Sequence, residues 1–363
     1  MNLLEVEGLS KVYLRKDGSA QVVLSNINFN IKKGECFTII GPNGSGKTTL
    51  LRILALLEKP TSGKIYFKGE EITALSKKDI INYRRKLSFV RQKPVVLNTS
   101  VYKNIVYGLK IRGMDPELID KKVKEIIEIV GLKGLEDKNA RALSGGEMQR
   151  VAIAMNFIVE PELYLLDEVS ANLDSKNLKL LEQFISKIKD GEDKTIILST
   201  HDKLEAIKFA DRIGVLIDGS ISQIGHPNEV FTGPKDEFTA LFVGYENIFS
   251  GKAMIDQKSG LSIIKINDIT ITASSLVEGD VKVCIRPESI GISKKSPEKV
   301  SYRNTFKAII KEIRDLGNIC HLVVKCNNER FLIAITKLSL ANLNLAQNSE
   351  VYINFKATDV TIL

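Results

Sequence analysis

At 363 residues the chain is longer than one average domain and predicts two or three. Hydrophobic residues make up 44% and charged residues 26%, the balance of a globular protein, and no apolar run is long enough to span a bilayer. The net charge of +8 comes from Lys and Arg scattered along the chain, without a basic tail or a nucleic-acid motif, so the basic surface is read as solvated and no nucleic-acid partner is expected.

The N-terminal MNLLEVEGLSK lacks a signal-peptide pattern, so any membrane role is expected to come through a partner. Residues 3–8, 22–31 and 36–40 read as strands separated by turns, with Tyr13 on the connection between the first two. The third strand runs into Gly41, Pro42, Asn43, Gly44, Ser45, Gly46, Lys47, Thr48 and Thr49, and a helix near Lys47 carries the apolar run that follows, 50–57. Residues 59–63 form a turn and 65–67 a short strand. Then come a polar helix at 76–86, a strand at 87–90, a loop from Gln92 to 98 and a helix at 101–109. Residues 116–130 place Ile119, Val123, Ile126 and Val130 on one helical face, which marks them as packing positions.

Leu143-Ser144-Gly145-Gly146-Glu147 opens a helix to 159, which Pro161 ends. An apolar strand at 163–166 finishes on Asp167-Glu168. A helix at 175–189, a strand at 195–199 and His201 complete the segment. Alternating strands and helices predict an α/β domain with a mainly parallel sheet. Beyond about residue 245 short alternating strands dominate, so the expected division is 1–240 and a small all-β, barrel-like domain at 241–363, joined by a helix at 235–245. Cys36, Cys284, Cys320 and Cys326 lack CxxC or zinc-type spacing, and Cys36 and Cys284 fall in apolar runs, which fits core positions in a reduced cytosolic protein.

A strand, a glycine-rich turn ending in Lys-Thr and a helix are what a phosphate-binding loop requires. The glycines let backbone amides turn inward around an anion, and the helix start adds its positive dipole end. Lys47 would reach the outer phosphates and the Thr48 hydroxyl would ligate Mg2+. Such a loop names no reaction until a metal carboxylate and a water-positioning group join it. Asp167 fits the first role and Glu168 the second; the competing reading is two surface carboxylates.

With the second motif in place, the chain resembles the ATP-binding subunit of ATP-binding-cassette (ABC) transporters, a P-loop NTPase fold. Residues 143–147 are similar to the family signature LSGGQ, with Glu147 in place of the usual Gln. The resemblance implies that Ser144, Gly145, Gly146 and Glu147 meet the γ-phosphate of ATP bound to another copy, so the expected assembly is a head-to-tail dimer enclosing ATP and Mg2+. It further implies that Tyr13 stacks on adenine, Gln92 joins Thr48 and Asp167 around the metal, residues 171–174 cross the dimer interface, and His201 contacts the γ-phosphate. An ordinary turn tyrosine is the alternative at Tyr13. His226 and His321 match no such position.

Residues 242–249 and Arg286-Pro287-Glu288 resemble the linker and regulatory (TOBE) domain of importers, and 301–304, 335–339 and 355–360 resemble a molybdate-binding barrel, though Tyr302 stands where Ala is usual. The resemblance implies an ATPase at the cytoplasmic membrane face, working with permease subunits and, indirectly, an extracytoplasmic oxyanion-binding protein. Tungstate or molybdate is the expected cargo, and a regulatory oxyanion is expected at the C-terminal domain. Sulfate, iron, polyamine or sugar import, and a soluble cassette acting on ribosomes or DNA, are the competing readings.

Overall fold

A computed structural model describes every residue except Asn172, Glu192, Glu298 and Lys299. The chain forms two compact units, Met1–Pro227 and Asn228–Leu363.

The first unit contains strands β1 (Asn2–Leu14), β2 (Ala20–Lys32), β3 (Cys36–Ile40), β4 (Ser62–Phe67), β5 (Glu70–Glu71), β6 (Leu87–Val90), β7 (Leu163–Asp167), β8 (Thr195–Thr200), β9 (Arg212–Ile217) and β10 (Ser220–Gly225). Its helices are α1 (Lys47–Leu54), α2 (Lys77–Arg85), α3 (Val101–Ile111), α4 (Pro116–Ile129), α5 (Gly145–Phe157), α6 (Ser175–Asp190) and α7 (Lys203–Phe209). Six strands form a sheet in the order β10-β9-β3-β8-β7-β6, parallel but for β10, and β2-β1-β4-β5 form a separate antiparallel sheet. Strands β3, β7 and β8 are buried at every residue, as continuous apolar runs in a sheet covered on both faces require. One core gathers Leu4, Leu24, Ile39, Leu50 and Leu54; the other gathers Ile105, Val123, Val151, Tyr164 and Leu198.

Register decides what this sheet can do. Ile40 pairs with Thr200, and Asp167 pairs with Ser199. Strands β3, β8 and β7 are neighbours, so their carboxyl ends deliver the glycine loop, His201 and Asp167-Glu168 to one edge. That is where open α/β sheets bind ligands.

Tyr13 does not lie on a connection: β1 continues past it, and Tyr13 pairs with Gln21 of β2. Residues 13–22 form the exposed end of a long hairpin.

Among its described residues the second unit holds α8 (Pro227–Thr232, its first residue in the preceding unit), α9 (Glu237–Val243), α10 (Lys337–Asn342) and ten strands. These are β11 (Asn247–Asp256), β12 (Leu261–Ile266), β13 (Ile269–Ala273), β14 (Gly279–Ile285), β15 (Gly291–Ser293), β16 (Asn304–Asp315), β17 (Ile319–Cys326), β18 (Glu329–Thr336), β19 (Glu350–Phe355) and β20 (Thr361–Ile362). Two five-stranded antiparallel sheets, β13-β12-β11-β14-β20 and β15-β19-β16-β17-β18, share a core containing Ile264, Phe331, Ile353 and Phe355. The division falls before the expected 240/241 boundary because the connecting helix belongs with the barrel. The Arg286 guanidinium donates to Phe231 O (2.6 Å) and Val243 O (2.8 Å) and lies over the Tyr245 ring. All four cysteines are buried and unpaired, and burial pushes the Cys36 and Cys284 thiols up to about 12.

Candidate nucleotide site

The loop after β3 is shaped by what surrounds it. A Cβ on Gly41 would stand 2.0 Å from Leu216 O, and Gly46 has φ 105° with Leu24 Cδ2 at 2.8 Å from any Cβ. Neither position tolerates a side chain. Gly46 caps α1 without a side-chain acceptor, so the first amides of the helix are left open to a ligand. Ser45 Oγ, in the same loop, is buried and has no hydrogen-bond partner among the described residues.

Lys47 is 4% exposed. Its ammonium donates to Gly41 O (2.9 Å) and Pro42 O (3.0 Å) and pairs with Glu168 Oε1 at 3.3 Å. Thr48 Oγ1 donates to Asp167 Oδ1 at 3.1 Å, and Ser199 Oγ donates to the same oxygen at 2.8 Å. Burial pushes the Asp167 carboxyl up, while the hydrogen bonds from Ser199 and Thr48 pull the other way. Glu168 takes a left-handed backbone (φ 46°), and its amide is held by Ser199 O at 3.0 Å. Its other carboxylate oxygen faces His201 Nδ1 at 3.6 Å. Lys47, Thr48, Asp167, Glu168 and His201 therefore converge.

The other expected positions lie outside that set of contacts. Gln92 is exposed in the loop after β6 and makes no side-chain hydrogen bond to a described residue. Tyr13 donates to the Glu58 carboxylate, which Lys11 (3.2 Å) and Arg52 (3.4 Å) also approach, and its ring remains 37% exposed with the Lys11 ammonium 4.8 Å from its centre. Ser144 caps α5: its Oγ accepts from Glu147 N (3.4 Å), and Glu147 Oε2 accepts from Ser144 N (2.9 Å) and Ser144 Oγ (2.7 Å). This capping box leaves other amides of the first turn unpaired. Among the described residues no hydrogen bond or ion pair joins residues 144–147 to the glycine loop. Within the expected interface-crossing loop, Asn172 lies outside the described residues.

Sequence reasoning missed Ser199 and Asn177. Ser199 holds both Asp167 and the Glu168 amide, which only the β7–β8 register could have announced. Asn177 is fully buried; its side-chain amide donates to Gly146 O (3.3 Å), Gln149 Oε1 (3.1 Å) and Asp174 Oδ2 (3.3 Å), fastening the start of α6 to the start of α5. In the second unit, Asn304 spends its amide on the Thr272 backbone (2.7 and 2.9 Å), and Thr336 caps α10.

A phosphate loop closing onto strand-end carboxylates in a parallel sheet defines a P-loop nucleoside-triphosphatase. The family model for the ABC transporter matches residues 24–171 and that for the TOBE domain matches 301–362. The molybdate/tungstate import ATP-binding protein of Pyrococcus abyssi is 37% identical over 99% of this chain and 100% of its own length. The spermidine/putrescine import ATP-binding protein of Spiroplasma citri is 34% identical over 100% of this chain and 97% of its own. A solved dimer of an ATP-binding cassette with bound ADP and Pi is 31% identical with a TM-score of 0.57, covering 62% of this chain and 98% of that one. The chain belongs to the family of ATP-binding subunits of ABC importers. It binds ATP, and its hydrolysis of ATP is coupled to import.

Proposed function

We propose that this subunit drives uptake of an oxyanion, tungstate or the chemically similar molybdate, from the cytoplasmic face of a membrane through permease partners. The observation that carries this reading is the full-length likeness to a relative named for molybdate and tungstate import. The relative named for spermidine and putrescine import, at 34% identity, favours a second reading in which the same machinery moves a polyamine. No helix among the described residues is long and apolar enough to cross a membrane, in keeping with a subunit that works through such partners.

In this reading the backbone N–H groups of the loop at 41–49, which Pro42 lacks, wrap the β- and γ-phosphates, Lys47 turns its ammonium to the outer phosphates, and Tyr13 stacks on adenine. Thr48 and Asp167 offer two oxygen donors 3.1 Å apart, the hard set that suits Mg2+ shared with phosphate oxygens. Gln92 is the third donor proposed for the same cation. Bound there, the cation would neutralise phosphate charge. Glu168 aligns a water for in-line attack, and His201, beside it, meets the γ-phosphate. Ser144 to Glu147 serve ATP held by a second copy, because the capped start of α5 is a ready anion site with no link to its own loop. An oxyanion at the C-terminal unit would act as a feedback signal.

The cargo is tested in vesicles holding this subunit, its permease and the matching binding protein. Tungstate or molybdate should raise ATP turnover several-fold, while sulfate and spermidine should not. Stimulation by spermidine alone would overturn the oxyanion reading and leave the ATPase assignment standing.

A further inference from the structure

Glu205 is a buried carboxylate that the hydrolytic reading leaves unused. It occupies the third position of α7, and Asp202 caps that helix by accepting from Leu204 N (2.8 Å) and Glu205 N (3.3 Å). An Asp-x-x-Glu start ordinarily sends the Glu side chain back to the cap amide. Here the Asp202 amide donates to Thr200 Oγ1 instead (3.0 Å), and the Glu205 carboxylate is free to turn inward. It accepts from Ser170 Oγ at 2.9 Å, 35 residues away in sequence and two residues beyond Glu168. Burial pushes its carboxyl up, while hydrogen bonds from Thr200 and Ser170 pull it down.

A carboxylate 9% exposed is costly to keep unless its contact matters. This contact joins the turn leaving Glu168 to the segment that carries His201. Ser199 ties the Glu168 amide to the end of β8 through its carbonyl (3.0 Å) and hydroxyl (3.2 Å), and Glu205 adds a second tie two residues further along the turn, where Glu168, Ser170, Thr200, His201 and Glu205 line one cavity of about 310 Å3. The Glu168 backbone is itself left-handed, a conformation that neighbours must hold in place.

We propose that Glu205 is a positioning residue for hydrolysis: through Ser170 it latches the turn after Glu168 to the His201 segment and keeps those two side chains at their 3.6 Å separation. The inference rests on Glu168 and His201 being the hydrolytic pair. A misplaced water-aligning group costs turnover more than it costs nucleotide binding, so the expected signature is a split between kcat and KM.

The test uses the full-length ATPase. E205A should lower kcat about tenfold or more with KM for ATP changed less than about twofold, and E205Q, which keeps an acceptor oxygen for Ser170, should restore most of the loss. S170A should resemble E205A, and the double variant should be no worse than either. The chain has three histidines, so the His201 ring resonance is readily assigned by comparison with H201A, and it should move in both E205A and S170A. S170A reads the same contact if E205A fails to fold. Normal kcat in S170A, additive losses in the double variant, or an unmoved His201 resonance would overturn the proposal. An E168Q variant that hydrolyses ATP normally would instead overturn the assignment of the pair, which separates the two failures.

Discussion

Gly41 and Gly44 share one loop but fail differently when given a side chain. At Gly41 a methyl group would meet a carbonyl oxygen of β9 at 2.0 Å, and only backbone movement could relieve that. At Gly44 nothing lies within 4 Å, and the penalty is the left-handed backbone alone (φ 84°), about 1–2 kcal/mol for a non-glycine residue. Gly44→Ala should therefore lower the thermal midpoint by a few degrees and weaken ATP binding modestly. Gly41→Ala should cost distinctly more in both thermal unfolding and nucleotide titration. Equal effects would mean that the strand-side wall of the loop is softer than described.

The element scale explains what was and was not legible. The glycine loop could be read because its chemistry is local: the turn, the lysine and the helix start follow one another in the chain. The contacts made by Ser199, Asn177 and Glu205 could not, because each joins segments 28 to 35 residues apart that only sheet register or helix packing brings together. The connecting helix could be read, but not what holds it, since Arg286, far downstream, donates to the carbonyl of its last residue, Val243. At α5 the capping box supplies a prediction of its own. The hydrogen bonds from Ser144 hold the Glu147 carboxyl below its ordinary value of 4.5. A group with a depressed folded pKa contributes stability above the ordinary value and loses it as pH falls through the depressed one. Glu147→Gln should flatten that part of the acid limb in thermal unfolding between about pH 5 and 3. At neutral pH it should bind ATP as well as or better than the native residue, since it removes a negative charge from an anion site. Unaltered acid unfolding, or weaker ATP binding, would count against the role given to this turn.

At the scale of the whole molecule, the proposed function divides the nucleotide site between two stretches of the chain that no hydrogen bond or ion pair among the described residues joins. Residues 41–49 with Asp167, Glu168 and His201 gather at the sheet edge, while Ser144 caps a separate helix. Two copies arranged head to tail would complete two sites, and ATP would be the material that holds them together until hydrolysis. The most direct test is sedimentation of Glu168→Gln with and without Mg2+ and ATP. The variant should bind ATP, hydrolyse it at under about a hundredth of the normal rate, and convert from monomer to dimer only when ATP is present. A variant that binds ATP with normal affinity yet remains monomeric, or that turns ATP over at the normal rate, would contradict the account.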